Sequence, residues 1–525
     1  MNTEQLIDKL CQPQSYPHPV EVITTIETHI SVVFLTGQYA YKLKKPVDFG
    51  FLNFTQLADR KHFCLQELRL NRRSAPDLYI DVVAIHCDSN DTLHLDRLST
   101  QSESSNPIDY LVKMHQFDPS WVLGRYLKEH HLTSEQERLL AQRIADLHLN
   151  ANRVEDGSHL GEPETILQPM LDNFPTLFAN CTEHDKPRLQ ALLDWTNQHF
   201  RDLRPLLVER KQQGYVRECH GDLHLDNITL INDVPTLFDG IEFNDEFRWI
   251  DGISDLAFLL IDLDFRQQQG LKHRLFSQYM TLTGDYAAIE LLSFYRVYRS
   301  LVRAKISALR LTQLDKDSLE FQHYKQITLQ YIHQAEGDAF GKQQPQIIIL
   351  QGVSGSGKSH FSKQLLKQIE ALVISSDIER KKLFGVDATH RVENKDKQAL
   401  YSQEMSQKTY QRLQNLTKQV ISLGMSVIVD ATFLKEQHRL AFYDLANTVN
   451  CKCKTLYIET DETTAKQSIE QRIKLNNDPS DADVSVMLNQ IKVLEPPSQK
   501  ENSLTLTARE LRRFYPSDLI QDFLF

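Results

Sequence analysis

An apolar run that ends in a glycine-rich loop carrying a lysine and a serine leaves a chain few ways to fold. Residues 347–359 read IIILQGVSGSGKS, and HFSKQLLKQI (360–369) continues with helical spacing. The pattern G-x4-G-K-S between a buried strand and a helix is a P-loop in its proper setting. Gly352, Gly355 and Gly357 let the backbone wrap phosphates with its N–H groups turned inward. Lys358 is placed to reach the outer phosphates, and the Ser359 hydroxyl to hold Mg2+. Strand-length apolar runs recur in ALVISSD (371–377), MSVIVDAT (425–432) and KTLYIET (454–460), separated by helical patterns. That alternation predicts a parallel α/β sheet over 345–525.

The first part of the chain reads differently. ISVVFLTGQYAYKLKKPV (30–47) predicts two strands around a turn at Thr36–Gly37, and FTQLADRKHFCLQELRLNRR (54–73) a helix with Leu57, Cys64 and Leu68 on one face. From about 120 to 335 the pattern is mainly helical, interrupted near HGDLHLDNI (220–228). The polar, glycine-containing stretch EGDAFGKQQPQ (336–346) is the candidate linker. The expected architecture is therefore multidomain α/β and α+β. A bilobal kinase-like domain over 1–338 (N-lobe about 1–115, helical C-lobe about 116–338) precedes a P-loop domain over 345–525.

Phosphoryl transfer asks a protein mainly to position groups and neutralise charge. Around HGDLHLDNI the residues for that task occur in order. Asp222 is placed to orient an acceptor hydroxyl and take its proton. Asn227, five residues on, and Asp239, at the end of the apolar run in TLFDGIEF, offer oxygen ligands suited to Mg2+. A phosphate lysine falls among Lys42, Lys44 and Lys45. Lys42 and Lys44 share a strand face, so either can reach phosphate. We assign Lys42, with Glu67 on the next helix as its ion-pair partner. No G-x-G-x-x-G loop accompanies them.

Over roughly 20–330 these motifs resemble the aminoglycoside/choline-kinase-like phosphotransferases. The resemblance implies that Asp255 in SDLAF and His148 in IADLHLN orient loops. Residues 345–500 resemble P-loop small-molecule and polynucleotide kinases, zeta-toxin-like kinases among them. There the resemblance implies that Asp377, after the second strand, activates the acceptor. It places Arg380, one turn on, on a substrate phosphate, and Arg472 in a lid that neutralises the transferring group. Asp430, at the end of VIVD, falls on the metal side. A second lid arginine is absent, with Asn476 in its place. The order of the two parts resembles the bacterial family described as bifunctional aminoglycoside phosphotransferase/ATP-binding proteins. It implies a kinase using ATP and Mg2+ at two sites, with small-molecule hydroxyl acceptors. Two other readings fit the motifs: an N-terminal pseudokinase or ligand sensor that regulates the P-loop kinase, and a P-loop nucleotide switch without small-molecule phosphorylation.

Charge and composition narrow the setting. Of the net −11, residues 345–525 contribute +2 (24 Lys and Arg against 22 Asp and Glu), so 1–344 contribute −13. An acidic N-terminal part argues against a nucleic-acid partner there and leaves the question open for the C-terminal part. No apolar run reaches the ~18 residues that span a bilayer. MNTEQLIDKL lacks the basic-then-apolar form of a secretory signal. Seven scattered cysteines fit reduced thiols, so the expected location is the cytoplasm. Cys451 and Cys453 alternate along a strand, which favours packing over a metal site.

Overall fold

A computed structural model describes residues 1–50, 52–97, 106–341, 344–386, 399–475, 482–507 and 518–524. The chain forms two compact units. The first comprises Met1–Phe265 and Phe294–Ala339, the second Arg266–Ser293 and Phe340–Phe525.

The first unit opens with an antiparallel sheet. Its strands are β1 (Thr24–Glu27), β2 (Ser31–Leu35), β3 (Tyr39–Lys44), β4 (Tyr79–Cys87), β5 (Leu93–Arg97) and β6 (Asp109–His115), in the order β1-β2-β3-β6-β4-β5. Gly37 takes φ +91° at the β2–β3 turn, where the chain must reverse within a few residues. Period-two alternation divides the sheet into two faces. Phe34, Tyr41, Leu43 and Leu111 fill one core. Ala40, Val82, Ala84 and Val112 face the helix Leu57–Asn71, whose Cys64 and Leu68 are buried against them. A helical lobe follows. Within it the short strands β7 (Val216–Glu218), β8 (Ile228–Ile231), β9 (Val234–Leu237) and β10 (Trp249–Asp251) form two hairpin-sized sheets, β7 with β10 and β8 with β9. The antiparallel lobe followed by a helical lobe is the bilobal kinase-type architecture.

The candidate linker is shorter than its composition indicates. The helix Leu319–Phe340 runs through Glu336-Gly-Asp-Ala-Phe340 despite the glycine. Glu336 pairs with Arg188 at 2.7 Å and Asp338 with Arg296 at 2.9 Å, so contacts distant in sequence outweigh the weak local propensity.

The second unit is a five-stranded, all-parallel sheet of β11 (Gln346–Gln351), β12 (Ala371–Ser375), β13 (Ser426–Asp430), β14 (Lys452–Glu459) and β15 (Ser503–Thr507), in the order β12-β13-β11-β14-β15. Ile347, Ile348, Ile349 and Leu350 are fully buried, as a central strand covered on both faces requires. Cys453 is buried in β14 within this sheet. The helix Gln269–Thr283 belongs to this unit. It packs along β12, where Ser277 Oγ accepts the Val373 N–H at 2.9 Å, and Lys382 Nζ donates to the Thr281 carbonyl at 2.9 Å. Residues 266–293 thus complete the sheet's β12 edge from well upstream in the chain.

Candidate phosphoryl-transfer sites

In the first unit, β3 and the helix Leu57–Asn71 bring the lysines to carboxylates from three parts of the chain. Lys42 Nζ lies 2.5 Å from Asp239 Oδ1 and 3.0 Å from Glu67 Oε1. Lys44 Nζ lies 2.6 Å from Glu67 Oε2 and also pairs with Glu242. One glutamate therefore serves both lysines. Burial alone would discharge the lysines. Asp239 beside Lys42, and Glu242 and Glu67 beside Lys44, overcome it and raise both pKa values. Burial likewise works against the Glu67 carboxylate, but the two lysines hold its pKa down at about 2. Glu242 goes the other way, pushed up by burial with Glu67 beside it. Of the two lysines, Lys42 is the one paired with Asp239.

The HGD loop is held from beneath. Asp255 accepts the backbone N–H of His220 at 2.8 Å and of Gly221 at 3.0 Å, and its Oδ2 lies 3.1 Å from His148 Nε2. Asp262 accepts the Leu225 N–H at 2.9 Å. Asn227 Nδ2 donates to Asp222 Oδ2 at 2.9 Å and to the Asp222 carbonyl. His224 is a member that the sequence reading passed over. Its Nδ1 accepts the Asp226 N–H at 3.2 Å, which assigns the ring proton to Nε2, 3.3 Å from Asp222 Oδ2. Burial opposes the Asp222 charge, but His224 overcomes it and holds the carboxyl well below its usual range. An acid that strong orients a hydroxyl better than it removes a proton. Asp239 adopts φ +61°, and its N–H is fixed by the Tyr79 hydroxyl at 3.1 Å. Asn227 is held beside Asp222, and Asp239 meets Lys42; Asn227 and Asp239 each carry a side-chain oxygen of the hard kind that a divalent ion takes.

In the second unit, the P-loop joins β11 to the helix Lys358–Leu365. Lys358 Nζ donates to the carbonyls of Gly352 at 2.8 Å and Val353 at 3.0 Å, folding back over the loop. Ser359 Oγ donates to Asp430 Oδ2 at 2.7 Å, so the end of β13 meets the start of that helix in a hydroxyl–carboxylate pair suited to Mg2+. Gly355 has φ +82°, and a Cβ there would stand 2.5 Å from the Ala465 carbonyl oxygen. Gly357 has φ +99° and open space around it. Asp377 sits in the first turn of the helix Ser376–Phe384, just beyond β12.

One cavity of about 760 Å³ gathers the second set: Gly355, Gly357, Lys358, Ser359, Asp377, Arg380, Asp430 and Arg472 all line it. Gly352 is not among the lining residues; its carbonyl accepts from Lys358 Nζ. Arg472 Nη2 donates to the Ala482 carbonyl at 2.5 Å, tying the helix Glu462–Leu475 to the segment that leads into the helix Val484–Val493. Gln490 on the latter accepts the Ser354 N–H at 2.7 Å, so one P-loop amide is already engaged. Asn476 lies outside the described residues.

The geometry defines a mixed α/β chain with a bilobal kinase-type unit followed by a parallel-sheet P-loop unit. Among known families, the sequence model of the AAA domain AAA_33 matches residues 347–497. An uncharacterized protein of Mycobacterium tuberculosis is 27% identical over 434 residues, 82% of each chain. Among solved structures, a choline/ethanolamine kinase family protein from Mesorhizobium loti is 12% identical, with a TM-score of 0.35 over 64% of this chain and 99% of its own. A gluconokinase from Sinorhizobium meliloti is 17% identical, with a TM-score of 0.23 over 35% of this chain and 91% of its own.

Proposed function

We propose that the chain is an ATP-dependent phosphotransferase with two Mg-ATP sites, each passing the γ-phosphoryl group to a hydroxyl of a small molecule. The observation that carries this reading is the P-loop cavity. Lys358, Ser359, Asp377, Arg380, Asp430 and Arg472 line it together, with Ser359 bonded to Asp430, and that set supports the reading. A pure nucleotide switch has no use for Asp377 and Arg380 opposite the P-loop. In this reading Lys358 and the loop amides bind the phosphates, and Ser359 with Asp430 holds the metal. Asp377 orients the acceptor, Arg380 binds it, and Arg472 offsets charge on the transferring group. In the first unit Lys42, held by Glu67, binds phosphate, Asn227 and Asp239 hold the metal, and Asp222 orients the acceptor. A bound Mg2+ would neutralise developing charge at either site.

The retained Asp222, Asn227 and Asp239 favour an active first site over a pseudokinase. All seven cysteines are unpaired, and among the described residues no helix is long and apolar enough to cross a membrane. A cytoplasmic location and small-molecule partners belong to the same proposal. The test is a screen of metabolite extracts with γ-labelled ATP. Lys358→Ala and Asp222→Ala should each remove a separate labelled product, with a loss of about 10²–10³-fold in its rate. Unchanged labelling in both variants overturns the assignment.

A further inference from the structure

Arg380 and His438 both line the P-loop cavity, and Arg380 Nε and His438 Nδ1 are buried polar atoms with no hydrogen-bond partner among the described residues. They come from different elements, the helix Ser376–Phe384 and the helix Glu436–Thr448. Each is held by an aromatic ring. The Arg380 guanidinium stands 4.9 Å from the centroid of Tyr401, and the His438 ring stacks on Tyr410 at 4.1 Å with a 30° tilt. Tyr410 is itself locked, because its hydroxyl accepts the Phe433 N–H at 3.1 Å. Stacking fixes where these groups lie without consuming their hydrogen-bonding capacity.

A buried donor or acceptor left unmatched is costly, so such atoms mark places that a ligand completes. The nucleotide's own needs are met elsewhere, by Lys358, the loop amides and the Ser359–Asp430 pair. Burial lowers the His438 pKa, which favours a neutral ring able to share one hydrogen bond at Nδ1. Arg380 adds a permanent charge and a planar donor set matched to carboxylate or phosphate.

We infer that His438 is an acceptor-binding residue and that, with Arg380, it selects a hydroxylated small molecule carrying an anionic oxygen group. This rests on the kinase reading of the cavity and adds both a residue and a substrate class to it. The space of about 760 Å³ must also admit the terminal phosphates of the nucleotide, which keeps the acceptor small.

Calorimetric titration of the full-length protein, without nucleotide, tests the subsite directly. The probes are a sugar acid, a sugar phosphate and the corresponding neutral sugars. At least one anionic probe should bind about 10-fold or more tightly than its neutral counterpart. The two anions distinguish carboxylate from phosphate. His438→Ala should weaken that binding about 10-fold while ATP affinity stays unchanged, which also reports that the P-loop is intact. His438→Asn places an amide nitrogen near the position of Nδ1 and should restore most of the loss. Equal binding of anionic and neutral probes overturns the inference, as does a His438→Ala protein that binds like wild type. Adding γ-labelled ATP separates this from the kinase reading. Selective binding of an anionic probe without any Asp377-dependent transfer leaves the subsite standing and removes the enzymatic role.

Discussion

The two units hold their lysines in place with opposite materials. The first unit uses side chains to hold side chains. Lys42 meets Asp239 across 197 residues, and Lys44 meets Glu242 across 198. The second unit uses backbone. Lys358 rests on carbonyls five and six residues away, and in the proposed function the loop's own amides supply most of the anion site. A paired network is strong where it is complete and fragile where one partner is lost. A backbone nest is indifferent to distant substitutions and sensitive to any added Cβ. The first arrangement stakes the site on burial, the second on φ and ψ.

The largest effect should come from breaking the first arrangement. Lys44→Met leaves Glu67 and Glu242 buried with too little positive charge, and should lower the stability of the first unit by about 3–5 kcal/mol. Denaturant unfolding followed by a probe in that unit measures it. Lys44→Met with Glu242→Leu should regain most of the loss, since an apolar pair of similar size replaces the ion pair. If the double variant is as unstable as the single one, Glu67 rather than Glu242 dominates.

The same network has an acid signature. Glu67 is held at about 2 in the fold against an ordinary 4.5. Its contribution to stability is complete above about 4.5 and is lost as pH falls from there toward 2. Glu242, with its raised pKa, contributes in the opposite sense, favouring the fold below its ordinary pKa and losing that contribution as pH rises through its folded value. Glu67→Gln should therefore flatten the acid limb of the first unit's stability curve. Midpoints collected from pH 6 downward, on wild type and variant, check it.

Two glycine substitutions probe the backbone site with a smaller effect. Gly355→Ala faces both a positive φ and the Ala465 carbonyl, which cannot rotate aside, and should cost about 3 kcal/mol in the second unit. Gly357→Ala meets only the φ penalty, about 1–2 kcal/mol. Thermal unfolding of the second unit should rank them in that order, and the reverse order would show that the loop yields. Smallest of all, Ser277→Ala removes the acceptor for the Val373 N–H and should cost about 1 kcal/mol, read as faster amide exchange at Val373 and its β12 neighbours.

The contrast in materials also explains what the sequence disclosed. The P-loop occupies eight consecutive residues, so glycine spacing, lysine and serine could be read together with the strand before them. Asp430 was readable because an apolar run ends on it. In the first unit the motif around Asp222 was equally local, but the lysine question was not. Lys42 and Lys44 alternate on one face, and only the fold shows that Glu67 is divided between them while Asp239 pairs with Lys42 rather than Lys44. Glu242, three residues past Asp239, carries no mark of its burial. His224 stood inside the motif, and its offset of two from Asp222 was the available signal. His438 had none, because stacking on Tyr410 joins two helices 28 positions apart. The helical Glu336–Phe340 segment eluded composition for the same reason, since its support comes from Arg188 and Arg296.

The helix Gln269–Thr283 carries one more lesson, about where such a chain can be divided. Along the gene, the natural place to cut is the glutamine-rich joint before β11. In the folded molecule the P-loop sheet relies on an edge cover encoded some sixty codons earlier, upstream of the helix Leu319–Phe340. A shuffled or truncated gene that starts at the joint delivers five strands with β12 bare, a template for unwanted strand pairing. Inheritance of this P-loop unit as a portable cassette therefore needs a replacement for that cover, and the two halves are bound to travel together.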